Sequence, residues 1–231
     1  MADANVVIVT GAAGNVGAAL ALLLADRGTR VVAVDRNDAA MRARLGDRAA
    51  LVLPAHDLAE PAECKRLIAA TMQALGRIDG LGHTVGGFAA APLDESDPAF
   101  WDRMQRMNLL TTLGMVRAAL PPMRSAGRGS IVAIGAGAAQ RAPAGLAAYG
   151  ASKAAVLRLI ESTAEEGKAS GVRANAVLPS VIDTPQNRAA MPSADSSAWV
   201  TPRQVAEVIA FLLSDAASGV TGAAIPISGR G

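Results

Sequence analysis

The strongest constraint on this chain lies near its start, where a β-branched run meets an apolar helix across three spaced glycines. Asn5–Thr10 reads NVVIVT, and Asn15–Arg27 is an apolar-rich helix candidate ended by Gly28. Between them lies Thr10-Gly11-Ala12-Ala13-Gly14-Asn15-Val16-Gly17. Gly11, Gly14 and Gly17 permit a tight turn, close approach of backbone to a ligand, and close helix–strand contact. Asn15 and Val16 open the helix, whose free N–H groups and positive dipole end would face a bound pyrophosphate. The placement of the glycines between strand and helix makes a dinucleotide cradle the preferred reading. The alternative is a tight βα turn with no ligand.

The rest of the chain repeats the strand–helix alternation. Further strand candidates are Arg30–Asp35, Ala50–Leu53, Ile78–Val85, Ser130–Ile134, Val172–Leu178 and Ala223–Ile227. Helical patterns cover Pro61–Leu75, Leu146–Lys168, and a long stretch Trp101–Met123 that Pro121-Pro122 should stop. Another covers Thr201–Ser214, with Thr201 as N-cap and Pro202 in the first turn. Continuous apolar strands separated by helices predict an α/β fold, a doubly wound parallel sheet with helices on both faces. One segment breaks the rhythm. Ser180–Val200 holds Pro185, Pro192 and many small polar residues without clear periodicity, and reads as a functional loop, a lid over a substrate.

A length of 231 residues suits a single domain, 1–231, and a 51% apolar content supplies its core. No apolar run approaches a membrane span. The Met1–Asn5 start lacks the charged region and cleavage site of a signal peptide, which leads to a cytoplasmic expectation. One cysteine, Cys64, and two histidines, His56 and His83, exclude a disulfide and argue against a metal site. The net charge is +2, and the basic residues are scattered without aromatic interleaving. That pattern argues against nucleic acid as a partner.

Asp35 closes the second strand about 20 residues beyond the glycines, where a carboxylate can bond ribose hydroxyls and repel a 2′-phosphate. Arg36, next to it, would instead pair with that phosphate. The expectation is therefore NAD(H), with NADP(H) as the alternative. Asp57 and Leu58, after the third strand, would flank the adenine, and Asp57 also reads as a simple helix cap. Tyr149 and Lys153 stand one helical turn apart, on one face. A lysine ammonium close to a phenol favours the phenolate, which would lower the tyrosine pKa and make the pair an acid–base unit. Tyr149 is the sole tyrosine, and Lys153 is one of three lysines.

The glycine turn, the Tyr149/Lys153 pair and the Pro179–Thr184 segment together resemble the short-chain dehydrogenases/reductases, over essentially the whole chain. The resemblance implies a Rossmann-type domain, a nicotinamide cofactor, a small-molecule substrate and a homodimer or homotetramer built through two long helices. It assigns Tyr149 as catalytic acid/base and has Lys153 hold the nicotinamide ribose. Asn108 would support a proton-relay water, and Thr184 would sit near the carboxamide, with Gly86 and Pro179 also at the cofactor.

The departures from that family are specific. Ala136 replaces the usual serine, and His83-Thr84-Val85-Gly86 replaces Asn-Asn-Ala-Gly. The quinonoid dihydropteridine reductases share the missing serine. They also resemble this chain in Gly86-Gly87-Phe88 and in the run Asp183-Thr184-Pro185-Gln186-Asn187-Arg188 through Met191-Pro192 to Trp199. On that likeness Phe88, Ala136, Asn187 and Trp199 form the substrate side, with Phe88 and Trp199 stacking on a flat ring or simply packed. His83 reads as a packed loop histidine and Cys64 as a helix residue without chemistry. A weak or inactive dinucleotide-binding sensor or scaffold is the competing function.

Overall fold

The computed structural model describes residues 4–229; the Met1–Asp3 start of the leader reading lies outside them. Seven strands form one sheet, each paired in parallel with its neighbours. They are β1 (Val6–Thr10), β2 (Arg30–Asp35), β3 (Leu51–Pro54), β4 (Gly80–His83), β5 (Gly129–Ile134), β6 (Val172–Pro179) and β7 (Ala224–Ile227). Their order is β3-β2-β1-β4-β5-β6-β7. The chain thus winds outward from β1, returns to β4, and winds the other way. The reversal opens a crevice at the carboxyl ends of β1 and β4, the position where such sheets bind ligands.

Side chains alternate across the sheet and bury two cores. Val6, Ile8, Leu81, Ile131 and Ala133 pack beneath α3 (Pro61–Leu75), α5 (Thr111–Ser125) and α6 (Ala147–Gly167). Val7, Val9, Val31 and Ala33 pack beneath α1 (Asn15–Asp26), α2 (Asp38–Leu45) and α8 (Pro202–Leu213). The expected doubly wound single-domain architecture is the one observed. Thr201 caps α8 in a capping box with Gln204. No described helix is long and apolar enough to cross a membrane.

Four local expectations need correction. The reading did not include α2, which Asn37 caps by accepting from the Ala40 N–H at 2.9 Å. Met41 and Leu45, one turn apart, are buried there, and each contributes about 1.5–3 kcal/mol. That burial offsets the weak propensity of so short a helix. The fourth strand is shorter than Ile78–Val85, because Thr84 already turns away, its hydroxyl donating to the Thr10 carbonyl at 2.7 Å.

The long helix is three pieces: α4 (Pro98–Met104), a π-turn Gln105–Leu110, and α5. Pro121 and Pro122 lie inside α5 and do not stop it. Pro121 is solvent-exposed, and the next turn is held by Met123, which is fully buried. Finally, Ser180–Val200 is not without structure. It holds the short helix α7 (Pro185–Ala190) and a 3₁₀ turn Ser196–Ala198, and Ile182 bridges to Val200 at its base.

Candidate active site

The glycine turn takes its shape from missing side chains. Gly11 has φ +72°, a region that L side chains rarely adopt. A Cβ on Gly17 would lie 2.0 Å from the Gly11 carbonyl oxygen, so α1 can only close on the turn through glycine. Gly14 is the N-cap of α1 and offers no side-chain acceptor, which leaves the first helical N–H groups for an anion. A cavity of about 450 Å³ opens above, lined by Gly11, Gly14, Asp35, Arg36, Asp57, Leu58 and Gly86. It could hold a dinucleotide. Asn15, the first residue of α1, reaches away from the turn and donates to Gln186 Oε1 at 3.0 Å, while Val16 is buried.

Asp35 is tied to the turn. One carboxylate oxygen accepts from the Ala13 N–H and the other from the Asn37 N–H, each at 3.1 Å. Each oxygen keeps a lone pair for a ribose hydroxyl. Asp57 is not the cap of α3, whose N-cap is Glu60. It accepts from the Ala59 N–H at 2.8 Å as a turn acceptor, and it lines the cavity. That N–H, followed by Arg106, holds its carboxyl below the usual carboxylate range. Arg106 also reaches Glu60, and with Arg103 and Met107 it forms a wall that the sequence reading did not identify. These residues sit on α4 and the π-turn, far along the chain from the glycines, and nothing in their spacing points to a cofactor.

At the other end of the cleft, α6 presents Tyr149 half-buried and Lys153 buried. Lys153 Nζ donates to the Ile134 carbonyl at 2.9 Å. Burial pushes Lys153 down to about 8 and Tyr149 up to about 12. The expected lowering of the tyrosine by the lysine is absent, because desolvation of the phenol dominates. Gly86 is required here by close approach. A Cβ would meet Asn108 Oδ1 at 2.9 Å and Lys153 Nζ at 3.0 Å.

Asn108 projects from the π-turn and is fully buried. Its Oδ1 accepts from the Gly87 N–H at 2.9 Å, and its Nδ2 donates to the Gly87 carbonyl at 3.1 Å and to Ser152 Oγ at 3.0 Å. Ser152 in turn donates to the Tyr149 carbonyl at 2.7 Å. The side chain thus joins the Gly86–Phe88 loop to the start of α6. Phe88 is 64% exposed, yet its ring meets the Tyr149 ring edge-on, with centroids 5.0 Å apart at 75°. Ala136 is buried just beyond β5.

In the 180–200 segment, Thr184 caps α7 by accepting from the Asn187 N–H at 3.1 Å. The Asn187 amide donates inward to the Ile182 carbonyl at 2.8 Å, and Arg188 pairs with Asp183. Pro179 is buried at the end of β6, and Trp199 is half-buried at the far end of the segment. His83 is the last residue of β4 and not part of a loop, and Cys64 donates to the Leu58 carbonyl from inside α3.

Comparison with known proteins identifies the family. The family model described as enoyl-(acyl carrier protein) reductase matches residues 11–229. The chain is 35% identical to the D-threitol dehydrogenase of Mycolicibacterium smegmatis, over 98% of this chain and 92% of that protein. It is 37% identical to the cis-4-hydroxycyclohexanecarboxylate dehydrogenase of Sinomonas cyclohexanicum, over 97% and 95%. Among solved structures, a short-chain type dehydrogenase/reductase from Mycobacterium ulcerans superposes with TM-score 0.92 at 30% identity, covering 98% of this chain and 89% of that one. Levodione reductase superposes with TM-score 0.89 at 28% identity, covering 97% and 96%. On sequence and fold together, the chain belongs to the short-chain dehydrogenase/reductase family, a family of NAD(P)-dependent oxidoreductases.

Proposed function

We propose that the protein is a cytoplasmic reductase that prefers NAD(H) and acts on a small carbonyl or conjugated-imine substrate, with a site like that of the quinonoid dihydropteridine reductases. The bound nicotinamide supplies the hydride. Gly11, Asn15, Val16 and Gly17 take the pyrophosphate and Asp35 the adenosine ribose. Arg36, Asp57 and Leu58 flank the adenine end. Gly86 and Lys153 would hold the nicotinamide ribose, with Pro179 and Thr184 near the carboxamide. The fit rests on the space that Gly11, Gly17 and Gly86 leave, which any Cβ would fill.

Tyr149, kept protonated at neutral pH by burial, would give its proton to the substrate oxygen or nitrogen. Substrate gains one hydride and one proton. Lys153, mostly charged below about 8, offsets the negative charge left on the phenolate. Asn108 fixes the loop that carries Phe88. Asn187 and Trp199 border the substrate on the 180–200 segment, which acts as a lid. A homodimer or homotetramer would form on α5 and α6; Leu110 and Leu113 also border an open groove of about 280 Å³ between α5 and α3.

The observation that carries the substrate class is one proton donor beside an aromatic wall. Tyr149 meets Phe88 edge-on, and Ala136 stands where the family has a second hydroxyl. A ketone oxygen gaining charge benefits from two donors, and losing one costs about 2.7–4 kcal/mol. A flat, electron-poor conjugated ring needs less help. The test follows NADH oxidation with quinonoid dihydropterin and with a panel of linear and cyclic ketones. Faster turnover of the pterin is expected. Turnover of ketones alone would remove the pterin reading and keep the reductase. No turnover of any member would favour a sensor.

A further inference from the structure

His83 is buried at 1% exposure, at the point where β4 enters the cleft. Thr10 of β1 and Ala133 of β5 are its partners across the sheet. It lies two residues beyond Leu81, so its side chain shares the face packed against α5 and α6. Nδ1 lies 2.9 Å from Thr10 Oγ1. Nε2 is enclosed and has no partner in the protein. A buried ring nitrogen without a partner calls for one. Lys153 comes down from α6 onto the carbonyl of Ile134, one residue beyond Ala133 on the neighbouring strand. Its ammonium has three donors, and that carbonyl takes one.

We infer that His83 is a positioning residue for Lys153: its Nε2 and the lysine ammonium share one buried water, which holds the ammonium over the sheet. A water has two lone pairs and two protons, so the link forms with either imidazole tautomer, as Thr10 dictates. The imidazole stays neutral in this role. Burial, with the Lys153 charge added, pushes His83 down to about 3. Of the charged groups on the surrounding elements, Lys153 is the one whose charge reaches the ring; Tyr149 is the other titratable group on that turn of α6. His83 therefore steadies the lysine charge that faces the phenolate, and this purpose rests on the proposed part of Tyr149 and Lys153 in the reaction.

The test needs no substrate. The chain has three lysines and two histidines, so ε-¹³C-lysine and ¹⁵N-histidine NMR on the ligand-free protein gives few, assignable signals. His83→Asn keeps a group at the Nδ1 position and removes Nε2; His83→Gln places an amide near Nε2 and gives up Thr10. His83→Asn should lower the Lys153 midpoint by about half a pH unit or more, since the ammonium loses a stabilising partner. His83→Gln should leave it close to the native value. A midpoint unmoved in His83→Asn, or moved equally in both, overturns the inference. If His83→Asn fails to fold, Lys153→Met supplies the reciprocal reading. It must shift the His83 Nε2 resonance, and an unshifted resonance overturns the inference equally. None of these outcomes depends on turnover, so failure here is separable from failure of the proposed reaction.

Discussion

In the glycine turn the shape is made by what is missing, whereas around Tyr149 it is made by side chains reaching across the fold. Gly17 closes α1 on the turn because a Cβ would strike the Gly11 carbonyl. Within the turn the backbone bonds itself, Gly14 N–H to the Gly11 carbonyl at 2.9 Å. Around Tyr149 the reverse holds. Asn108 bonds Gly87 and Ser152, and Phe88 touches Tyr149 from 61 positions earlier in the chain. A backbone-made site tolerates little change. A site made by long-range side chains can be retuned one residue at a time.

The comparison breaks most visibly at Tyr149. Tyr149→Phe should lower kcat by ~10²–10⁴-fold, the usual worth of a placed proton donor. NADH affinity, measured by calorimetric titration, should stay near the native value. A parallel loss of cofactor affinity would mean that the two regions are not separable. Gly17→Ala probes the other side. The added methyl meets backbone that cannot swing aside, so stability should fall by about 1–3 kcal/mol. Denaturant unfolding and NADH titration should both register the loss, and neither changing would show a looser turn.

Phe88→Ala sharpens the contrast. An edge-on aromatic pair contributes about 0.5–1.5 kcal/mol, so KM for the organic substrate should rise roughly 2- to 13-fold while NADH affinity holds. The smallest effect belongs to Gln186→Ala. It cuts the exposed hydrogen bond from Asn15 at 3.0 Å, the one side-chain bond between the glycine turn and α7. Amide exchange across 180–200 should speed by about 2-fold, the low end for a hydrogen bond at about 0.5 kcal/mol, as suits an exposed one. Adding NADH should slow exchange there in the native protein. High protection without ligand, unchanged by NADH, would make the segment a static loop.

Much of the fold was legible because its signals are local. Six β-rich runs and the Pro61–Leu75 helix lie where pattern placed them, since a strand buried on both faces must be apolar throughout. Helix α2 was missed because its burial rests on only two residues, too few to show a period. Asn108 was placed in an unbroken helix because the wide π-turn has no periodicity of its own. There Thr111 and Thr112 hydroxyls bond the carbonyls of Met107 and Asn108 at 2.8 and 2.7 Å. Tyr149 was expected with a lowered pKa because proximity to a lysine is visible in spacing, while the enclosure that raises it to about 12 is not.

The sequence by itself determined the strand–helix order, the glycine turn, the acid at the end of β2, and a tyrosine and lysine on one helical face. Each follows from residues within a few turns of one another, where steric rules and period decide. Only the tertiary structure decided that Asn108 grips Gly87, that Arg106 walls the cavity against Asp57 and Glu60, and that His83 faces Lys153's side of the sheet. It also decided which polar groups are stripped of water. Those contacts join residues tens of positions apart, and their strength depends on the burial that packing of the whole sheet imposes.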